Sequence, residues 1–203
     1  MHGILLDLGF STHHLTQSRR GFSFLLNENL DMRYHKENAL TAEKIINTWT
    51  GKAIENLLQE YGEERFARRI TDAILRRRRV QKISTTAELV RIVIQSVPRS
   101  HAGRKIHPAT RVFQALRIAV NQELENLSSA LPDCTDILTK EGRIAVISFH
   151  SLEDRIVKQF FRKQQEEGIV RVINKKPLQP SREETRENPA SRSAKLRAAQ
   201  KQV

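Results

Sequence analysis

One cysteine in 203 residues, Cys134, leaves no internal disulfide to form and no second thiol for a zinc cage. Cys134 reads as a small apolar filler. No window approaches the roughly 18 uninterrupted apolar residues of a membrane-spanning helix. The first residues lack the charged, apolar and small-residue regions of a secretory leader, so a cytosolic protein is expected. Neither common glycine-rich phosphate loop occurs, and no serine sits in a Ser-His-Asp nucleophile context, which argues against nucleotide hydrolysis and acyl transfer. Acidic residues are also in short supply: 35 Lys and Arg face 23 Asp and Glu, a net charge of +12. A basic surface binds polyanions by releasing counterions from phosphates, so nucleic acid leads the partner classes.

The chain opens on Gly3-Ile-Leu-Leu-Asp-Leu-Gly9, a continuous apolar run closed by Asp and Gly. That pattern predicts a strand buried on both faces of a parallel sheet. Starting almost at residue 1, it is either a covered edge or the first strand of a chain missing its opening units. Helical signals follow. Thr50 caps a helix that stops near Gly62, residues 63–79 carry Phe66, Ile70, Ala73 and Ile74 on one face, and Thr85 to Glu88 form a capping box. Residues 63–105 hold twelve basic and four acidic side chains. At their centre stand Arg76, Arg77, Arg78 and Arg79, which either face RNA phosphates or solvate a helix end and favour its negative dipole terminus.

Pro108 opens a long helix whose apolar positions run through Leu127. Arg143 to Phe149 predicts another buried strand, Ser151-Leu-Glu-Asp154 a capping box, and residues 169–173 and 194–199 two last strands. Strand, helical block, helix, strand, helix, strand, strand is the order of a doubly wound α/β domain interrupted by a small helical one. In such sheets ligands lie beyond the carboxyl ends of the strands, which singles out Asp7 and His150; a turn-forming Asp and a structural His are the competing readings.

Eight strings then take on meaning together: Gly3-Ile-Leu-Leu-Asp-Leu-Gly9, Arg20-Gly-Phe-Ser-Phe24, Leu30-Asp-Met-Arg33, Tyr61-Gly-Glu-Glu-Arg65, His107-Pro-Ala-Thr-Arg111, Phe113-Gln-Ala-Leu-Arg117, Ile147-Ser-Phe-His-Ser-Leu-Glu-Asp-Arg155 and Asn188-Pro followed by Ser191-Arg-Ser-Ala-Lys-Leu-Arg197. In this order and over nearly the whole chain, they resemble the S-adenosylmethionine-dependent 16S ribosomal RNA cytosine-N4 methyltransferases of the MraW type. The resemblance implies a class I (Rossmann-like) methyltransferase sheet, here only its later strands, with an inserted all-helical substrate-recognition domain. The domains would be 1–36 with 108–203, and 37–107. It further implies S-adenosylmethionine as donor, 16S rRNA of the small ribosomal subunit as partner, and donor contacts by Asp7 and by His14, which stands where the family usually has Gln. The family's upstream Gly-Gly-His motif is not in this chain, so an amino-terminal truncation is expected, leaving the first strand as an edge for self-association. Many amino-methyltransferases hold the target amine with an Asp-Pro-Pro-Tyr-like segment. Asp7 to Thr12 occupies that place without the prolines or tyrosine, which makes Ser11 and Thr12 the candidate base-holding groups and His150 a second cleft group. The alternative to an enzyme is a remnant that binds RNA and transfers nothing.

Overall fold

The computed structural model describes residues 1–9, 11–98 and 107–203, apart from the side chains of Thr12 and Thr16. Arg99, Arg104 and Lys105, which belong to the basic stretch of the sequence, lie outside the described residues. Two compact units form, one from Met1–Phe10 with Leu124–Val203 and one from Ser11–Glu123.

The first unit is a mixed four-stranded sheet with helices, an α/β arrangement. In chain order it holds β1 (Gly3–Asp7), β2 (Arg143–Ser148), β3 (Val170–Val172) and β4 (Lys195–Lys201), in the spatial order β1-β2-β4-β3. β1 runs parallel to β2, with Asp7 beside Ile147, while β4 is antiparallel to both β2 and β3. Ile144, Val146 and Ser148 are the buried positions of β2, the two-residue alternation of a pleated strand. They pack with Leu127 and Leu131 of one helix and Val157 and Phe161 of another. β1 is not buried on both faces as its apolar run suggested. Its pattern alternates, Leu5 is 64% exposed, and among the described residues it pairs only with β2. Apolar character records what a strand prefers to touch, and cannot say whether both neighbours are supplied.

The second unit is helical: α1 (Thr12–Thr16), α2 (Ala42–Thr48), α3 (Gly51–Glu60), α4 (Ala67–Val80), α5 (Thr86–Ser96) and α6 (Ala109–Asn121). Thr41, Thr50 and Thr85 cap α2, α3 and α5 through their hydroxyls, and Thr85 and Glu88 complete the expected capping box. Its core joins Ile45, Ile54, Ile70, Leu89 and Leu116 with Phe22, Leu30 and Met32 from the segment before α2. That segment, expected to travel with the sheet, packs instead into the helical unit, so the units divide at residues 10/11 and 123/124 rather than at 36 and 107. The helix expected to run from Pro108 through Leu127 is two helices. Gln122 is left-handed, at φ 52°, between α6 and α7 (Glu123–Asp136). Apolar periodicity passes through the break unmarked, because the cause is polar: Asn121 accepts from the Tyr34 amide at 2.8 Å and donates to the Met32 carbonyl at 2.8 Å.

Candidate active site

In the sheet unit the parallel pairing of β1 and β2 puts their carboxyl ends at the same margin. The Leu8 amide still donates to Ile147 O at 3.0 Å, then the chain turns at Gly9, whose φ of +105° is costly for any residue with a Cβ. Asp7 is exposed, and its carboxylate has no hydrogen-bond or ion-pair partner among the described residues. A turn-forming Asp would bind nearby amides, and no such bond from Asp7 is found among the described residues.

β2 ends in a denser polar lattice. The helix that follows, α8 (Ser151–Glu166), is capped by His150 and Glu153, one residue earlier than the Ser151–Asp154 box expected from the sequence. The difference arises because the Glu153 carboxylate already receives the Phe149 amide at 2.8 Å and the His150 amide at 3.2 Å, while His150 Nδ1 accepts from the Glu153 amide at 3.3 Å. His150 Nε2 lies 3.3 Å from Glu153 Oε1 without hydrogen-bond alignment. Burial raises the Glu153 pKa, but the His150 ring and the two amides outweigh it and hold the carboxyl below its ordinary value. One turn position on, Asp154 takes both prongs of Arg197 from β4, at 2.7 and 3.2 Å, with Lys195 at 3.5 Å. Burial again raises its pKa and the two cations bring the net shift down. The carboxy-terminal Ser-Ala-Lys-Leu-Arg string thus serves to fix the start of α8 against β4.

Those depressed carboxyls set a pH dependence. An unfolded carboxyl takes its proton at higher pH than the folded one, so their stabilisation is fully present above the ordinary carboxylate range and is lost as pH falls through the lowered folded values. Glu153→Gln is expected to flatten the decline in melting temperature below about pH 4.5. Equal acid slopes for wild type and variant would remove Glu153 from that role.

In the helical unit, Ser11 stands at the N-cap of α1 without capping it; its hydroxyl lies 3.1 Å from His14 Nδ1. The His14 ring meets Phe22 edge-on at 5.1 Å and Tyr34 at 5.2 Å, and those two rings stack on each other. Burial, then the charges of Arg20 and His13, lower the His14 pKa, which favours the neutral imidazole. Arg20 is anchored on the carbonyls of Arg33 and Tyr34 with its guanidinium 5.6 Å from the Phe22 ring centre. Gly21 follows at φ +74°, where a Cβ would collide with the Asn29 carbonyl. The Arg20–Phe24 and Leu30–Arg33 strings therefore form one structural piece, closed by the Met32 amide on Arg20 O at 2.7 Å. Thr12 begins α1, and its side chain lies outside the described residues. Sequence reasoning passed over Phe22 and Tyr34 as partners of His14; the Gly21-Phe22-Ser23-Phe24 run, two rings directly after a Gly, was the available signal.

The four arginines of α4 divide. Arg76 and Arg79 are exposed with no partner among the described residues. Arg77 reaches Gln81 at 2.7 Å and Glu88 at 3.7 Å. Arg78 turns inward, donating to the carbonyls of Ile46 at 2.9 Å and Trp49 at 2.8 Å.

Fold and site together define an α/β protein with an exposed carboxylate at the carboxyl ends of two parallel strands and a helical unit carrying arginines that have no partner among the described residues. The chain belongs to the MraW methylase family, whose model matches residues 1–202. It is 50% identical over 201 residues to the ribosomal RNA small subunit methyltransferase H of Coprothermobacter proteolyticus, covering 99% of this chain and 66% of that protein. To the protein of the same name from Heliobacterium modesticaldum it is 48% identical over 214 residues, covering 98% and 68%. To that of Persephonella marina it is 48% identical over 199 residues, again covering 98% and 68%. The chain thus spans about two thirds of the length of these curated relatives.

Proposed function

We propose that this chain is the larger part of an enzyme that transfers a methyl group from S-adenosylmethionine to N4 of a cytosine in 16S ribosomal RNA, at the decoding site of the small subunit. The observation that carries the reading is Asp7: an open carboxylate at the carboxyl ends of β1 and β2, in a chain matching a methylase family over residues 1–202. The residues present fit one side of such a donor, since an exposed, unpartnered carboxylate can accept from an ammonium or hydroxyl group and Gly9 leaves the backbone approachable. When bound, S-adenosylmethionine supplies a methyl group already activated on a sulfonium. The protein's remaining work is positioning, because a cytosine amine, its lone pair delocalised into the ring, is a weak nucleophile. Asp7 holds the donor. The Ser11 hydroxyl, oriented by neutral His14 and assisted by Thr12, accepts a hydrogen bond from the amine as it becomes tetrahedral. His150 keeps β2's end in place beside Asp7's strand and is the second candidate cleft group. Of the four arginines expected to face RNA, Arg76 and Arg79, which point outward, supply the RNA contacts, while Arg78 is committed to the carbonyls of Ile46 and Trp49.

This reading places the protein in the cytoplasm, with the ribosome; no helix among the described residues is long and apolar enough to cross a membrane. It assigns the unpaired side of β1 to pairing with further strands or with a second copy. It also makes the sheet unit part of a class I methyltransferase domain, with the helical unit, which lies between its two segments in the sequence, as the RNA-recognition insert.

The test is methyl transfer from labelled S-adenosylmethionine to small subunits lacking the modification, using the chain completed to its relatives' length and mapping the product by nuclease digestion and mass. Label on a cytosine N4 is expected. RNA binding with no transfer would favour the non-catalytic reading. In the same assay Ser11→Ala is expected to slow single-turnover transfer roughly tenfold to a hundredfold, with donor affinity unchanged, since an interaction made only in the transition state affects rate alone. A matched loss of donor affinity would move Ser11 into the donor site.

A further inference from the structure

α5 carries a different groove on each side, and one residue lines both. On one side Leu25, Leu26, Val90, Arg91, Ile94 and Gln95 border an apolar groove of about 450 Å³ with Phe24 in its wall. Leu25 is 82% exposed and Ile94 44%, far more than large apolar side chains of a helical core usually are. On the other side Arg69, Asp72, Arg76, Arg77, Gln95 and Ser96 border a polar groove of about 580 Å³. The helical repeat explains the arrangement: Val90, Arg91 and Ile94 share one face, Ile92 and Ser96 another, and Gln95 stands between them. Arg69 and Arg76, two turns apart on α4, and Arg91 on α5 are exposed and have no hydrogen-bond or ion-pair partner among the described residues. Among the described residues Asp72 is the one acid lining either groove.

We propose that α5 is a saddle for single-stranded RNA, with a backbone phosphate held by Arg69 and Arg76 and a neighbouring unstacked base lying in the Leu25–Leu26–Ile94 groove. The proposal rests on the reading of RNA as substrate and adds to it a site for a second nucleotide and the class of strand it takes. Charge decides the occupant. Three guanidinium groups against the one carboxylate of Asp72 leave the groove net positive and attractive to phosphates, and an apolar partner protein would gain nothing from Arg69 and Arg76 beside its groove. The apolar side decides the strand. A paired and stacked base pays about a few kcal/mol of unpairing and unstacking to enter a groove, whereas an unpaired base buries its faces against apolar side chains or an arginine plane at less cost, and Leu25, Ile94 and Arg91 offer both. Asn27 and Gln95 lie in the same wall, with amides able to meet a base edge.

The experiment is fluorescence anisotropy of the 203-residue chain with a labelled 12-nucleotide uridine strand, an abasic ribose-phosphate strand of equal length, a 12-base-pair RNA duplex and an oligoglutamate. No donor is needed, so failure of the methyl-transfer reading leaves this result untouched. The uridine strand is expected to bind at least tenfold more tightly than the abasic strand. L25S/I94S, neutral changes at exposed positions, should bring it down to the abasic level with an unchanged salt dependence. R69Q/R76Q should weaken both strands and lower the slope of log K against log salt by about 0.7 for each phosphate no longer neutralised. Melting curves check that each variant is folded; should either unfold, L25N/I94N and R69M/R76M, the latter also removing both charges, take their places. Equal affinity for uridine and abasic strands, no response to L25S/I94S, tighter binding of the duplex, or preference for oligoglutamate would each overturn the proposal, the last in favour of an acidic protein partner.

Discussion

Asp7→Ala, made in the chain completed with the upstream segment of a close relative, is expected to raise the dissociation constant for S-adenosylmethionine roughly tenfold to a hundredfold. One hydrogen bond from a charged donor group to a carboxylate is worth about 1.5–3 kcal/mol, and each 1.4 kcal/mol is a factor of ten. Folding is expected to change by less than about 0.5 kcal/mol, because the Asp7 side chain is exposed and makes no hydrogen bond or ion pair among the described residues. Asp7→Asn, which keeps an acceptor oxygen and loses the charge, should fall between. Calorimetric titration beside a thermal melt reads both quantities. An unchanged dissociation constant in a folded variant would place the donor elsewhere, and a large fall in melting temperature would make Asp7 a structural residue. The 203-residue chain without the added segment should bind the donor more weakly than the completed one, since it then offers Asp7 without the family's Gly-Gly-His loop. Low-micromolar binding by the short chain would contradict that.

Much of this was legible in residue order. Thr85 to Glu88 announces its capping box because both halves are local, a hydroxyl and a carboxylate three positions apart. β2 was legible because its apolar residues run unbroken while alternating between a buried and a half-buried face. The later strands were found within a residue or two, although β4 runs antiparallel to β2, and strand direction leaves no mark on composition. What the sequence hid is what long-range polar contacts decide. Asn121 breaks a seemingly continuous helix by bonding to backbone near Met32, 89 positions away. Glu153, not Asp154, caps α8, since Asp154 is already committed to Arg197, 43 residues further on. The site residues show the same division. The place of Asp7 at a strand's end was readable from the sequence, whereas the rings around His14 come together only through Gly21 and the fold of residues 20–34. Membership of the methylase family identifies the chain.

The arginine run gives the sharpest separation of roles, and Arg78→Gln is expected to cost about 2–4 kcal/mol of stability rather than RNA affinity. α2 ends at Thr48, so the carbonyl of Ile46 has no partner within the helix, and Trp49 at the C-cap is in the same position. Arg78 Nη1 answers both, at 2.9 and 2.8 Å. A Gln side chain is too short to span to both carbonyls from α4, so at least one half-buried acceptor is left unmet, along with the favourable charge at the helix's negative end. For a unit of this size the melting temperature should fall by roughly 10 °C. Arg76→Gln with Arg79→Gln should do the opposite: a melt within a degree or two of wild type, and weaker, less salt-dependent binding to rRNA fragments, because both guanidinium groups are exposed. Replacing all four at once would merge a folding defect with a binding defect and return a single number for two causes. Arg78→Lys supplies the control, keeping the charge while losing the planar fork that lets one group serve two carbonyls. A stable Arg78→Gln variant with poor RNA binding would turn Arg78 outward into the RNA-facing set and undo the division.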